Sequence, residues 1–138
     1  MQLISVLKNR GFTLIEIIMV VVLLGMMSVF IVPNYTKSVS KAYEKSGSDN
    51  LLIVYAGQNI YKNTNSVYIA CGDVNAINVN LSLGIIGNGF NYSCTTSDPT
   101  VFNCQAARVD GSFTVQITND NSVVCCAAGA CPSAAACS

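Results

Sequence analysis

Gly11-Phe12-Thr13-Leu14-Ile15-Glu16 opens an apolar run that continues to Val32. From Phe12 to Val32 the 21 residues carry one formal charge, Glu16. At about 1.5 Å per residue, a helix of that length spans roughly 30 Å, the thickness of bilayer hydrocarbon. The stretch reads as a membrane helix with an acid near its start. A lone carboxylate at membrane depth costs about 2.5–3.5 kcal/mol on insertion scales, so it marks function and calls for a partner. Nothing within the span is expected to pair with it, because the nearest bases, Lys8 and Arg10, lie on the far side of Gly11. A cut after Gly11 would create an α-amine on Phe12, four residues before Glu16. The same amine on a neighbouring copy would be its counter-charge.

The residues Lys8-Asn9-Arg10-Gly11-Phe12-Thr13-Leu14-Ile15-Glu16 closely resemble the processing site of type IV prepilins and type II secretion pseudopilins. The resemblance is confined to the N-terminal quarter of the chain. It implies cleavage after Gly11 by a prepilin peptidase, N-methylation of Phe12, and use of Glu16 with Phe12 in assembling a helical homo-oligomeric filament through a pilus assembly machinery. It also implies a precursor in the cytoplasmic (inner) membrane that becomes an extracellular pilus or a periplasmic pseudopilus. A secretory signal has an apolar stretch of about 7–15 residues followed by a small-residue cleavage site, and this run is longer with no such site behind it. A membrane-anchored, non-polymerising binding protein is the reading from another class, and it would retain residues 1–11.

The basic leader predicts a cytoplasmic N-terminus and an exported C-terminus. All seven cysteines, at positions 71, 94, 104, 125, 126, 131 and 137, follow the span and so fall in an oxidising compartment where disulfides are the default. The odd number leaves at least one thiol free, joined to another chain or modified. Seven basic and seven acidic residues cancel, but a chain starting at Phe12 has five against seven. That balance offers no electrostatic footprint for nucleic acid. With no His, the commonest general base and neutral metal ligand is absent. The sequence shows no Ser-His pair, no phosphate-cradling glycine loop and no convergent carboxylates, so neither an enzyme nor a cofactor site is expected.

Along the chain, residues 1–11 read as a leader and 12–33 as a transmembrane and polymerisation helix. Residues 34–62 read as its amphipathic continuation and 63–138 as a globular head. Gly25 lowers helix propensity by about 1 kcal/mol relative to Ala, and Pro33 lacks an N–H and crowds the carbonyl of Val29. These two are helix-melting candidates in an assembled filament, by resemblance to the family, while in an isolated subunit a kink at Pro33 is favoured. Tyr35, Val39, Ala42, Tyr43, Leu51, Val54, Tyr55 and Tyr61 keep helical spacing. Ser46-Gly47-Ser48-Asp49-Asn50 are poor helix formers and mark a soft point. Lys37, Lys41, Glu44 and Lys45 read as a solvated face, with Glu44 and Lys41 at the spacing of a weak surface pair.

Residues 63–88 read as a connecting loop with at most one short element. Phe90, Tyr92 and Cys94 then alternate with Asn91 and Ser93, the period-two signature of a half-buried strand. Asp110-Gly111 is a two-residue hairpin signal. Closing it puts Cys104, Ala106 and Arg108 on one face with Phe113, Val115 and Ile117. A fourth strand is expected over Ser122 to Cys126, completing an antiparallel meander. Its apolar face needs a cover, and the helix from Tyr35 to Tyr61 offers the one sizeable stripe. The fold class is α+β, a long N-terminal helix on a small antiparallel sheet, matching the pilin fold the resemblance implies.

Cys94 and Cys104, on neighbouring strands and one inward face, are the first disulfide candidate. Adjacent Cys125 and Cys126 point to opposite faces, so at most one faces the core. The other is within reach of Cys131, Cys137 or Cys71. A four-thiol metal site in this tail is disfavoured because paired C-x2-C clips are missing. Tyrosines and phenylalanines at helical spacing read as packing rather than electron conduction. Asp98, Asp110 and Asp120 do not form a calcium loop.

Overall fold

The structure, a computed structural model, describes residues 11–137, excepting the side chain of Phe30. Residues 1–10 of the proposed leader, including Lys8 and Arg10, lie outside the described residues, as does Ser138. The chain divides into two compact units, one ending at Lys37 and the other beginning at Ser38.

Helix α1 runs over Leu14–Asn65, 52 residues, without interruption at Pro33 or at Ser46–Asn50. The soft point has a packing reason to stay helical. A Cβ on Gly47 would meet the Phe90 ring at 3.0 Å, and one on Gly57 would meet Leu83 at 3.0 Å. These glycines lower helix propensity but let the ring and the Leu83 side chain approach the backbone. The helix ends three residues beyond the expected Lys62. Ser66, at φ 65°, turns the chain out in the left-handed region and donates its N–H to the Lys62 carbonyl.

The connecting region holds a short helix, α2, at Val74–Leu81. Asp73 caps it by accepting the Ala76 N–H at 2.7 Å, and Ser82 ends it at φ 54°. Two buried or half-buried amides replace the missing strand partners here. The Gln58 side chain donates to the Ile69 carbonyl and accepts the Ile69 N–H, and Asn78 does the same for Ile85. Each amide satisfies one peptide group in both directions, which an irregular buried segment requires.

Strands β1 (Phe90–Asp98), β2 (Val101–Arg108), β3 (Phe113–Thr118) and β4 (Cys125–Gly129) form an antiparallel sheet in sequence order. Cys94 faces Cys104 across β1 and β2, and Ala106 faces Val115 across β2 and β3 in the register set by the Asp110-Gly111 turn. Phe90, Tyr92, Cys94, Phe102, Cys104, Ala106, Phe113, Val115 and Ile117 are buried with Leu51 and Val54 of α1 and Ile77 and Leu81 of α2. Phe102 is the centre of the aromatic packing, 5.8 Å from the ring of Tyr55 and 4.6 Å from that of Tyr68. Arg108, on the same face, lies at the rim with its guanidinium 4.0 Å from the Tyr43 ring centroid.

Two expectations are corrected. Strand β4 begins at Cys125 and not at Ser122, because the Asn121 side chain accepts the Val123 N–H in a local turn that withdraws it from the ladder. Glu44 does not belong to a solvated face. It is 4 % exposed and accepts hydrogen bonds from the backbone N–H groups of Ser133 and Ala134. The surface pair on this part of the helix is Lys45–Asp49 at 3.5 Å.

Candidate assembly and processing site

The site is built on the first turn of α1. Gly11 and Phe12 precede the helix and are exposed, Phe12 at 79 %. Thr13 is in the capping position. Its hydroxyl accepts the Glu16 N–H at 3.3 Å, while the Glu16 carboxylate accepts the Thr13 N–H at 3.3 Å and the Thr13 hydroxyl at 3.4 Å. This is a reciprocal capping box. The reading that nothing within the span pairs with Glu16 is therefore corrected: Thr13 holds it. The signal was present as Thr-x-x-Glu at the head of an apolar run, and was missed because only charged partners were considered. Hydrogen bonds satisfy lone pairs without neutralising the charge. Glu16 thus has partners but no counter-ion among the described residues.

Beyond Glu16 the helix has a window of mean hydropathy 2.8 that is wholly unburied. Its apolar side chains face outward all round, Ile15 and Val21 at about 60 % exposure alike. A helix apolar on every side suits a lipid or protein surround and not water. By length and composition it is long and apolar enough to cross a membrane. No neighbouring atom lies within 4 Å of a Cβ built on Gly25, so no packing contact requires glycine there. The carbonyls of Gly25 and Pro33 each accept a second hydrogen bond, from the Ser28 hydroxyl at 2.7 Å and the Thr36 hydroxyl at 3.0 Å. Pro33 has no N–H to return to Val29, so the ladder between these positions is one bond short.

At the other end of the chain the structure joins Cys94 to Cys104, Cys125 to Cys137 and Cys126 to Cys131, leaving Cys71 as a buried free thiol. The tail folds back on β4, with Cys126 N–H on the Ala135 carbonyl at 2.7 Å and Cys137 N–H on the Cys126 carbonyl at 3.0 Å. Two bridges, these bonds and Glu44 order a segment of small residues that could bury little apolar surface by itself.

Residues 7–32 match the prokaryotic N-terminal methylation motif. The chain is 38 % identical over 61 residues to type II secretion system core protein G of Vibrio cholerae, covering 44 % of this chain and 42 % of that one. It is 36 % identical over 61 residues to the protein of the same name from Klebsiella pneumoniae, covering 44 % of each. With type IV major pilin protein PilA of Myxococcus xanthus it shares 35 % identity over 51 residues, 37 % of this chain and 23 % of that one. The chain thus spans less than half the length of the relatives it matches. The methylation motif and these relatives make the N-terminal part of the chain similar to type IV pilins and type II secretion pseudopilins, and the long helix on a four-stranded antiparallel sheet is a pilin-like architecture.

Proposed function

We propose that the chain is a structural subunit of a type IV pilus-like filament. In this reading it is inserted with its N-terminus in the cytoplasm, cut by a prepilin peptidase between Gly11 and Phe12, and methylated on Phe12. The observation that carries the reading is Glu16 on the first turn of α1, the one charge in the exposed apolar run from Phe12 to Val32, hydrogen-bonded to Thr13 and without a counter-ion among the described residues. The α-amine of Phe12 on an adjoining copy supplies the missing positive charge. Each incoming subunit exchanges an unneutralised intramembrane carboxylate for a paired one, and the apolar side chains from Leu14 to Val32 pack against those of other copies. A head-to-tail contact of this kind does not close on itself and yields a fibre. Gly25 and Pro33 bracket the stretch where the helix can unwind to fit the fibre.

A pseudopilus subunit is the second reading, favoured by the likeness to secretion core protein G over 61 residues. The disulfide-rich tail favours the pilus, since such a tail is a feature of many pilins.

Intact mass of protein sheared from the cell surface, with and without reduction, tests the proposal. A species that starts at Phe12 and carries one added methyl is the expected result. An uncut chain found only in membranes would leave a signal-anchored domain and remove the basis for the role of Glu16.

A further inference from the structure

The free thiol is one of three cysteines in a row. Cys71 forms an isolated antiparallel bridge with Cys94, its N–H on the Cys94 carbonyl at 2.9 Å and the Cys94 N–H on its carbonyl at 2.7 Å. Across β1, Cys94 is paired in register with Cys104, their Cα atoms 4.0 Å apart and their sulfurs bonded. Cys94 therefore lies between the other two, with Cys71 on one edge of β1 and Cys104 on the other. All three are buried in the same core. Residues that exchange both backbone hydrogen bonds across an antiparallel pair have Cα atoms about 5.5 Å apart, inside the usual disulfide range of about 4.4–6.8 Å.

We propose that Cys71, Cys94 and Cys104 form a disulfide-exchange relay in which Cys94 can be bridged to either neighbour. Displacement at a disulfide sulfur runs through attacker, central and leaving sulfur, and the order Cys71, Cys94, Cys104 across the sheet supplies that sequence. The Cys71 thiol gives its proton to solvent, and the thiolate attacks the Cys94 Sγ. The Cys94–Cys104 bond breaks with its electron pair on the Cys104 Sγ, which takes up a proton. One bond forms and one breaks, so no oxidant or reductant is consumed. The Asn80 side-chain amide donates to the Cys71 Sγ at 3.8 Å and stabilises the attacking anion. Burial, foremost, and then nearby Asp73 hold the Cys71 thiol above its ordinary range against that hydrogen bond, so the closed core keeps the Cys94–Cys104 isomer. Exchange belongs to the folding or partly opened head. The two isomers staple different elements. Cys94–Cys104 joins adjacent strands of one hairpin, whereas Cys71–Cys94 would enclose α2 and tie it covalently to the sheet.

The test uses the full chain in detergent micelles. Cys104→Ser, oxidised with oxidised glutathione, should form a Cys71–Cys94 bridge and lose alkylation at both residues, with the two tail bridges in place. A folded variant whose tail bridges are intact while Cys71 and Cys94 both alkylate overturns the relay. Wild-type protein keeps the test decisive if that variant fails to fold. In sub-denaturing urea with a trace of reduced glutathione, a denaturing alkylation quench should show label moving from Cys71 to Cys104 while the tail cysteines stay unlabelled. Label that stays on Cys71, or that spreads to the tail cysteines as well, overturns it.

Discussion

Leu24 and Leu51 sit on one helix and have opposite fates: the first is 62 % exposed and the second fully buried. From Leu14 to Val32 the described side chains are exposed on every side of α1, and the bonds Thr13–Glu16 and Ser28–Gly25 are local. From Glu44 onward the same helix buries Glu44, Leu51, Val54 and Gln58 within the head. The difference is one of partner. An apolar surface is stabilised only when something displaces water from it, and the head brings its own sheet while the N-terminal part has no such cover among the described residues.

The largest effect on this contrast should come from Glu16→Val. It keeps the span insertable and leaves processing and the head intact, yet filaments counted by electron microscopy should be abolished or strongly reduced. Wild-type filament numbers would sink the assembly role proposed for Glu16. Phe102→Ala should do the reverse. Truncating a fully buried ring packed on Tyr55 and Tyr68 should destabilise the head by about 3–5 kcal/mol in denaturant unfolding, with membrane insertion unchanged. Glu44→Ala should cost about 1.5–3 kcal/mol, because it removes the charged acceptor of two backbone N–H groups, and it should open the tail to proteolysis. Unchanged stability and an unchanged digest would mean that the disulfides alone hold the tail.

The smallest effect concerns pH. The Thr100 N–H, then its hydroxyl, hold the Asp98 carboxyl below the usual carboxylate range, and Ser112, helped by Arg108, does so for Asp110. A carboxyl depressed in the folded state stabilises above its unfolded pKa, and that contribution disappears as pH falls through the folded value. Head melting temperature should therefore slope down slightly as pH drops below about 4, and Asp110→Asn should flatten part of that slope. An identical slope in the variant would show that the turn contributes nothing.

Legibility in the sequence followed the range of the interaction. Asp110-Gly111 sufficed for the register of β2 and β3, since a strand's period of two turns one known pair into all of them. Cys94 and Cys104 were aligned by the same alternation. The burial of Glu44 was not legible, because its partners are backbone N–H groups 89 and 90 residues away that any residue type could supply. The pairings of Cys125 and Cys126 were equally hidden, since the tail to Cys137 has neither periodicity nor a turn signal that sets its path. Thr13–Glu16 is the opposite case, a local pattern in plain view whose polar half was overlooked in favour of charge. The glycines of α1 show how composition misleads, as Gly47 and Gly57 weaken a helix in isolation but seat Phe90 and Leu83 in this one.

The Glu44 contact also has a consequence in time. During synthesis the helix precedes its sheet, and the carboxylate must wait for 89 further residues before Ser133 arrives. A closure of such long contact order is slow compared with forming the helix or the β2–β3 hairpin. Until then the Glu44 carboxylate lacks the two backbone N–H donors that it has in the finished head. Closure of the tail is thus expected late in the folding of the head, and a chain in which it has not closed should be cut by protease in its C-terminal segment.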